Sequence, residues 1–174
     1  MTAARRRDEI LQALAGASSP VSAAALAARL GVSRQVVVGD VALLRAAGSP
    51  IVATPRGYVL GGGQEGSGVR CTVACRHGLD GLLDELYTVA DCGCGVLDVT
   101  VEHPVYGQLS GQLQVFSRYD ADVFWDALQK NGAQPLCSLT GDIHLHTLVC
   151  PDEARKARVL AALEEKGYLM GLEK

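Results

Sequence analysis

The chain has 174 residues, of which 48% are hydrophobic and 20% charged, with a formal net charge of −3. No apolar run approaches the roughly 18 residues that a membrane-spanning helix needs, and the basic N-terminus lacks the apolar region of a signal peptide. We therefore expect a cytoplasmic protein of one large or two small domains. Its six cysteines, which form no CxxC pair, are expected to remain mostly reduced thiols.

Charge is distributed unevenly along the chain. Residues 1–60 contain seven arginines and three acidic residues, a net charge of +4, whereas residues 61–174 have a net charge of −7. This asymmetry favours a nucleic-acid-binding part joined to an acidic domain. The stretch GGGQEGSG at 61–68 is typical of a flexible linker. We therefore predict one domain over residues 1–60 and a second over residues 69–174.

Three helices and a β-hairpin are predicted in the first domain. A first amphipathic helix is followed by a second that begins at the cap residue Ser22 and ends at Gly31, and by a third that begins at Ser33. Two short strands then flank a turn at residues 54–57. The short glycine-containing break between the second and third helices is typical of a helix-turn-helix. With the hairpin added, the pattern predicts a winged helix.

The third helix is the candidate recognition helix. In winged helices its N-terminal turns enter the major groove, and the hairpin contacts the DNA backbone or the minor groove. With the apolar stripe of the helix turned inward, the residues expected to face DNA are Ser33, Arg34, Gln35, Val38 and, at the wing tip, Arg56. Arg34 suits a guanine edge, Gln35 an adenine edge and Val38 a thymine methyl. A protein-binding module with the same fold remains the alternative.

Strands and helices alternate in the second domain. Residues 69–172 predict the order βαββαβ followed by a last helix, which is the order of a ferredoxin-like domain. Helices on one face of its antiparallel sheet would leave the other face for a ligand or a subunit. The predicted fold class is therefore α+β, a winged helix joined to a ferredoxin-like domain.

Two of the four histidines lie two residues apart in the predicted strand within GDIHLHTLVC, residues 141–150. Because successive strand side chains point to opposite faces, His144 and His146 share one face, with Cα atoms roughly 6.5–7 Å apart. Ile143 and Leu145 belong to the other face, which we expect to be core. The two imidazoles can converge on one metal ion or can be polar residues that face solvent.

Long blocks in both domains resemble the niacin-responsive repressors of NAD biosynthesis (NiaR type), in which a winged helix precedes a three-histidine, or 3H, domain. The blocks are SRQVVVGDVALLRAAG, DELYTVAD, VLDVTVEHPVYGQL, PLCSLTGDIHLHTL and LEEKGYL. Together they extend over nearly the whole chain. Gly39 and Asp142 depart from the family pattern: the first removes a side chain that could read a base, and the second adds a charge near the expected pocket.

The resemblance implies a divalent metal ion held by histidines of the second domain. The ligands expected from it are His77, His144 and His146, with Glu85 as the carboxylate and Asp84 as the alternative carboxylate. Zinc or nickel suits these donors best, and iron and manganese are also compatible.

The resemblance further implies a homodimer that represses transcription by binding double-stranded operator DNA, with nicotinic acid as corepressor and no membrane partner. The effector is expected near the metal, and the residues assigned to it are Ser138, Thr140, Gly141 and His103. A structural role is the alternative for His103. A metal-dependent hydrolase and a repressor that senses the metal itself are the alternative functions. Because no general base is evident outside the ligand set, we do not expect an enzyme.

Overall fold

The structure is a computed structural model that describes residues 2–61 and 68–171. The chain divides into two compact units, residues 1–65 and 66–174. All but the two ends of the predicted linker at 61–68 lies outside the described residues. Within the described ranges, every helix falls short of the length and apolarity that crossing a bilayer would require.

The first unit contains three helices and a two-stranded antiparallel hairpin, which confirms the predicted elements. They are α1 (Ala3–Ala15), α2 (Ala23–Leu30), α3 (Arg34–Ala46), β1 (Ile51–Thr54) and β2 (Gly57–Leu60). Ser22 and Ser33 cap α2 and α3, because each hydroxyl accepts a hydrogen bond from the backbone N–H three residues later. Gly31 ends α2 in the left-handed conformation, at φ 65°. The serine caps and Gly31 together define the short turn between α2 and α3.

Both apolar packing and buried charge join α1 to α3. Ile10 and Val37 are completely buried in the core of this unit. Asp40, on α3 and only 4% exposed, accepts hydrogen bonds from the guanidinium of Arg6 and lies 3.6 Å from that of Arg7. Two of the seven arginines that gave this region its positive charge therefore hold the helices together.

The hairpin is fixed to the segment that precedes α2. Val21 and Tyr58 exchange two backbone hydrogen bonds, each of 2.9 Å. Gly57, at the start of β2, has φ 137°, and a Cβ atom placed on it would lie 2.5 Å from the backbone carbonyl of Val21. Only glycine permits both this conformation and this close approach.

The second unit has the predicted βαββαβα order. Its elements are β3 (Val69–Arg76), α4 (Leu79–Asp91), β4 (Gly95–His103), β5 (Gly107–Val115), α5 (Arg118–Asn131), a short 3₁₀ helix (Leu136–Thr140), β6 (Ile143–Cys150) and α6 (Glu153–Glu165). The strands form one antiparallel sheet in the order β3-β6-β4-β5. The α+β class is confirmed.

The strand order differs from that of a ferredoxin-like sheet. There the first and third strands are central, whereas here the centre is formed by β6 and β4, the fourth and second strands of the unit. The crossover through α4 leaves a gap of one strand between β3 and β4, and β6 fills it. Either β5 or β6 could fill this gap, because each would run antiparallel to both β3 and β4 there. The order of the elements along the chain therefore does not determine the order of the strands in the sheet.

All three helices of this unit pack on the same face of the sheet. Leu86 of α4 and Val159 of α6 are at most 1% exposed, and they share a core with Leu148 and Cys150 of β6. His144 and His146 belong to this covered face, because strand alternation places them on the side of Leu148.

The expectation that the opposite face of β6 is core was therefore wrong. Ile143 is 41% exposed, whereas His144 and His146 are at most 4% exposed. Strand alternation shows which side chains share a face of the strand. It does not show which of the two faces the helices cover.

Candidate metal centre and recognition helix

Three histidines and one glutamate meet between the sheet and α4. His77 follows β3, Glu85 lies in the second turn of α4, and the other two histidines lie on β6. The Nε2 atoms of His77, His144 and His146 lie 2.6, 3.3 and 3.3 Å from Glu85 Oε2. The structure thus brings together the three histidines and the preferred carboxylate of the predicted ligand set.

The protonation of the three rings is set by backbone carbonyl groups. The Nδ1 atoms of His77, His144 and His146 lie 2.9, 3.0 and 2.6 Å from the carbonyl oxygens of Gly78, Asp142 and Asp98. A carbonyl only accepts hydrogen bonds, so each Nδ1 carries the proton. Each ring therefore turns its Nε2 atom toward the same point, the orientation that metal-binding histidines have.

Glu85 is a buried carboxylate with one unsatisfied oxygen. It is 1% exposed, and within the described residues its Oε1 atom has no hydrogen-bond partner. Burial opposes ionisation, but the three histidines outweigh it and hold the pKa of Glu85 well below its usual range. Burial likewise opposes protonation of His77 and His146, but Glu85 more than offsets it and raises the pKa of both rings. The cluster is thus a set of nitrogen and oxygen donors of the kind that binds a divalent cation.

Asp84, the alternative carboxylate, lies on the other side of the helix. Its oxygens accept hydrogen bonds from Lys166 Nζ, at 2.7 and 2.8 Å, and from the hydroxyl of Tyr168, at 2.8 Å. Lys166 and then Tyr168 lower the pKa of Asp84. The ring of Tyr168 packs on His77 with a centroid separation of 4.8 Å. Asp84 therefore supports the wall behind His77 and does not take part in the cluster.

One candidate donor was missed by the sequence reasoning. Cys75 is completely buried and pairs directly with His144 across the β3–β6 ladder. Its Sγ atom and the donor atoms of Glu85 and His144 all lie within 4.8 Å of one another. The signal that could have found it is the spacing of Cys75 and His77, which strand alternation places on one face.

A small cavity of about 30 Å³ opens beside the cluster. The three histidines and Glu85 form one wall, and the remaining walls are mostly apolar: Leu82, Leu86, Val99, Leu113, Phe124, Pro135, Leu136 and Cys137. Among the described residues, no lysine or arginine lines it. The cavity has the apolar character of small-molecule sites, and all its charged and imidazole groups are on one side.

The predicted effector residues of the 3₁₀ helix do not line this cavity. The hydroxyl of Ser138 donates to the carbonyl of Pro135 at 2.7 Å, and that of Thr140 donates to the carbonyl of Ile143 at 2.7 Å. Gly141 ends the helix at φ 62°. These groups stabilise the turn itself, and the segment reaches the cavity through Leu136 and Cys137.

His103 is not brought to the cavity either. It lies at the turn between β4 and β5, where its Nδ1 atom accepts hydrogen bonds from the backbone N–H groups of Val105 and Tyr106, at 3.2 and 3.3 Å. Its ring lies against that of Tyr106. This geometry matches the structural alternative for His103, which is to close a turn.

The N-terminal turn of α3 is exposed, as a recognition helix requires. Ser33, Arg34 and Gln35 all face solvent. Val38 does not fit the predicted DNA-facing set, because it is half-buried and packs at the edge of the core stripe. Val36, 38% exposed, is the more accessible apolar side chain.

Arg56 lies in the two-residue turn of the hairpin. Its backbone N–H donates to the hydroxyl of Thr54 at 3.3 Å, and that hydroxyl donates to the carbonyl of Gly57 at 2.8 Å. The threonine therefore shapes the tip of the wing on which Arg56 stands.

Comparison with known proteins accounts for both units. Residues 6–59 match an HTH domain, and residues 70–172 match a 3H domain. The chain is 44% identical over 165 residues to a Thermotoga maritima protein named "Probable transcription repressor NiaR", which covers 95% of this chain and 93% of the relative. It is 41% identical over 169 residues to "Transcription repressor NadR" of Bacillus subtilis, with 96% and 94% coverage. The chain therefore belongs to the family of transcription repressors, rather than enzymes, that join a helix-turn-helix domain to a 3H domain.

Proposed function

We propose that the protein is a homodimeric repressor of genes for NAD biosynthesis or niacin uptake, with nicotinic acid as corepressor at a metal centre. The observation that carries the proposal is the convergence of three imidazole Nε2 atoms and one buried carboxylate on the wall of an apolar cavity. Membership of a repressor family supplies the DNA-binding half of the proposal.

A divalent metal fits the residues of the cluster. His77, His144 and His146 offer three Nε2 atoms, and Glu85 offers a negative charge with one unsatisfied oxygen. Imidazole and carboxylate ligands suit zinc or nickel, with iron and manganese also compatible. When bound, the ion would supply a positive charge beside the cavity.

Nicotinic acid suits the lining of the cavity through its apolar ring and its charge. Its flat ring suits apolar walls such as Phe124 and Leu136. Its carboxylate needs a countercharge in such surroundings, because an unpaired buried charge costs several kcal/mol. With no cationic side chain among the described lining residues, that countercharge would come from the metal. Nicotinamide has no carboxylate, so the site is expected to prefer the acid.

Dimerisation would connect the effector to the operator. A dimer of winged helices matches two half-sites about 34 Å apart, or a multiple of that distance. The sheet face opposite the helices carries the exposed Ile143 and is a candidate surface for the second subunit. An effector that favours one dimer arrangement would change operator affinity, typically by about 5–150-fold.

Operator binding at fixed salt tests the proposal. With metal-loaded protein we expect nicotinic acid to raise operator affinity by about 5–150-fold and nicotinamide to leave it unchanged. As a control, Arg34→Ala should weaken operator binding by about 1–3 kcal/mol with or without the acid, because it removes a base contact and not the effector site. Equal affinity with the acid, the amide and neither would refute the corepressor role. Higher affinity with metal alone would instead indicate a metal-sensing repressor.

Gly81 offers a second test of the metal centre. It lies in α4 beside His77, and a Cβ atom there would stand 2.9 Å from Cγ and Nδ1 of that ring. We expect Gly81→Ala to displace the ring and to lower metal affinity by about 10–100-fold, as loss of a positioning contact does. Alanine should favour the helix by up to about 1 kcal/mol, so unfolding is not the expected cause.

Chelator competition and thermal melting would measure the two effects of Gly81→Ala separately. Gly39→Ala is the matched control, because Gly39 is also helical and its Cβ position is open. It should leave metal affinity unchanged. If Gly81→Ala also binds metal normally, the assignment of His77 as a ligand fails.

A further inference from the structure

Cys75 approaches the cluster from β3, on the same sheet face as His144. Across the β3–β6 ladder the two residues are direct partners, so strand geometry turns both side chains toward α4. The Sγ atom of Cys75 lies within 4.8 Å of the donor atoms of both His144 and Glu85. This placement is fixed by the sheet and does not depend on a flexible loop.

The surroundings of Cys75 differ from those of an ordinary core thiol. Most buried cysteines behave as small apolar side chains. Cys75 is instead completely buried beside a carboxylate, Glu85, whose Oε1 atom has no hydrogen-bond partner in the described part of the chain. With the donor atoms of Cys75, Glu85 and His144 all within 4.8 Å of one another, the thiol adds a sulfur donor to nitrogen and oxygen donors that a cation can accept.

We propose that Cys75 is a further metal ligand, through its thiolate sulfur, alongside the three histidines and Glu85. The inference rests on the metal centre of the proposed function and deepens it. On binding, the Sγ–H bond breaks, the proton leaves to solvent and an Sγ–metal bond forms, with no change of oxidation state. A buried thiol is normally inert, but coordination to a divalent ion deprotonates it.

A sulfur donor would narrow the choice of metal. Thiolates favour zinc and the later transition ions, whereas manganese and magnesium prefer oxygen donors. With Cys75 in the ligand set, the site should therefore discriminate between zinc and manganese more strongly than three imidazoles and a carboxylate would. The unsubstituted protein would then bind zinc, nickel or cobalt in preference to manganese.

X-ray absorption spectroscopy of the zinc-loaded full-length protein tests the inference directly. We expect one sulfur scatterer at about 2.3 Å together with nitrogen and oxygen scatterers at about 2.0–2.2 Å. Zinc bound with only nitrogen and oxygen scatterers would overturn the role of Cys75 and leave the metal centre intact. Failure to bind zinc at all would overturn the proposed function as well. Because the unsubstituted protein decides the question, the test does not depend on whether a variant folds.

Substitutions then identify which cysteine supplies the sulfur. Cys75→Ser should remove the sulfur scatterer and lower zinc affinity by about tenfold or more, while manganese affinity changes little. Cys137→Ser is the matched control, because Cys137 is also buried and lines the cavity but is outside the donor cluster. It should keep the sulfur scatterer. Loss of the scatterer in the Cys137 variant, or its retention in the Cys75 variant, would refute the assignment.

Discussion

Replacing both His144 and His146 with alanine should abolish stoichiometric binding of a divalent ion. The double variant keeps only His77 and Glu85 of the three-histidine and one-carboxylate set. Even with Cys75 as a further donor, loss of two of the three imidazole nitrogens should cause a large loss of zinc affinity. Elemental analysis of the variant and the unsubstituted protein, purified side by side, measures the effect.

The same double variant should be less stable without losing its fold. Glu85 is buried and would lose two of its three imidazole partners. Removing a partner from a buried charge typically costs about 3–5 kcal/mol. Adding Glu85→Gln to the double variant removes that charge and should recover part of the lost stability, but not metal binding. Urea unfolding of each metal-free protein would measure the difference.

The remaining histidine provides the control for this experiment. His103 closes the turn between β4 and β5, and its ring contacts Tyr106 instead of the cluster. His103→Ala should therefore bind metal at full stoichiometry. Full occupancy in the His144 and His146 double variant, or loss of metal in the His103 variant, would show that the ligands are wrongly assigned.

Gly57→Ala should cause the largest loss of stability in the DNA-binding unit. The new Cβ atom would stand 2.5 Å from the carbonyl carbon and oxygen of Val21 and 2.7 Å from the backbone nitrogen of Ser22, at φ 137°. Backbone strain of this kind costs about 1–3 kcal/mol, and overpacking costs about 1–3 kcal/mol more. We therefore expect a loss of about 2–6 kcal/mol, with separation of the hairpin from the segment before α2.

The consequence of Gly57→Ala for DNA binding follows from the position of the wing. Operator affinity should fall together with stability, because the hairpin that carries Arg56 loses its attachment. Thermal melting and gel-shift titration would measure the two effects. Gly48→Ala is the matched control: it also has a positive φ, 91°, but its Cβ position is open. Equal destabilisation of both variants would show that the contact with Val21 contributes nothing.

The local structure of the first unit was predictable because its signals are short in range. Ser22 and Ser33 cap their helices, and Gly31 ends α2, as their residue types indicate. What could not be predicted is how charges pair across the unit. Arg6 and Asp40 are 34 residues apart, so the sequence counts Arg6 as positive charge available to DNA, whereas the fold places it against a buried carboxylate.

The metal cluster was only partly predictable. Strand alternation puts His144 and His146 on one face, and the family resemblance singles out His77 and Glu85. The resemblance favoured Glu85 but left Asp84 as an alternative, because the sequence alone does not show which of two neighbouring helix residues faces the sheet. The structure separates them: Glu85 faces the sheet, and Asp84 binds Lys166 at the surface.

The lining of the cavity was not predictable from residue type. Ser138 and Thr140 have the hydroxyls that an anion site commonly uses, but in the 3₁₀ helix those hydroxyls donate to nearby carbonyls. The cavity is lined instead by apolar residues from separate elements, such as Phe124 of α5 and Leu113 of β5. Such walls arise from packing between distant segments, and no local sequence pattern marks them.

The carbonyl groups that hold the three imidazoles have a consequence for how this site can change by mutation. In many metal proteins the outer partner of a ligating histidine is a carboxylate side chain, which a single substitution can delete. Here the partners are the main-chain carbonyls of Gly78, Asp142 and Asp98, and every amino acid has such a carbonyl. No amino-acid substitution at these positions removes the hydrogen-bond acceptor. Only a shift of the backbone would do so, for example loss of the irregularity between Val96 and Asp98 in β4. The orientation of the three imidazole rings therefore does not depend on which side chains occupy these three positions.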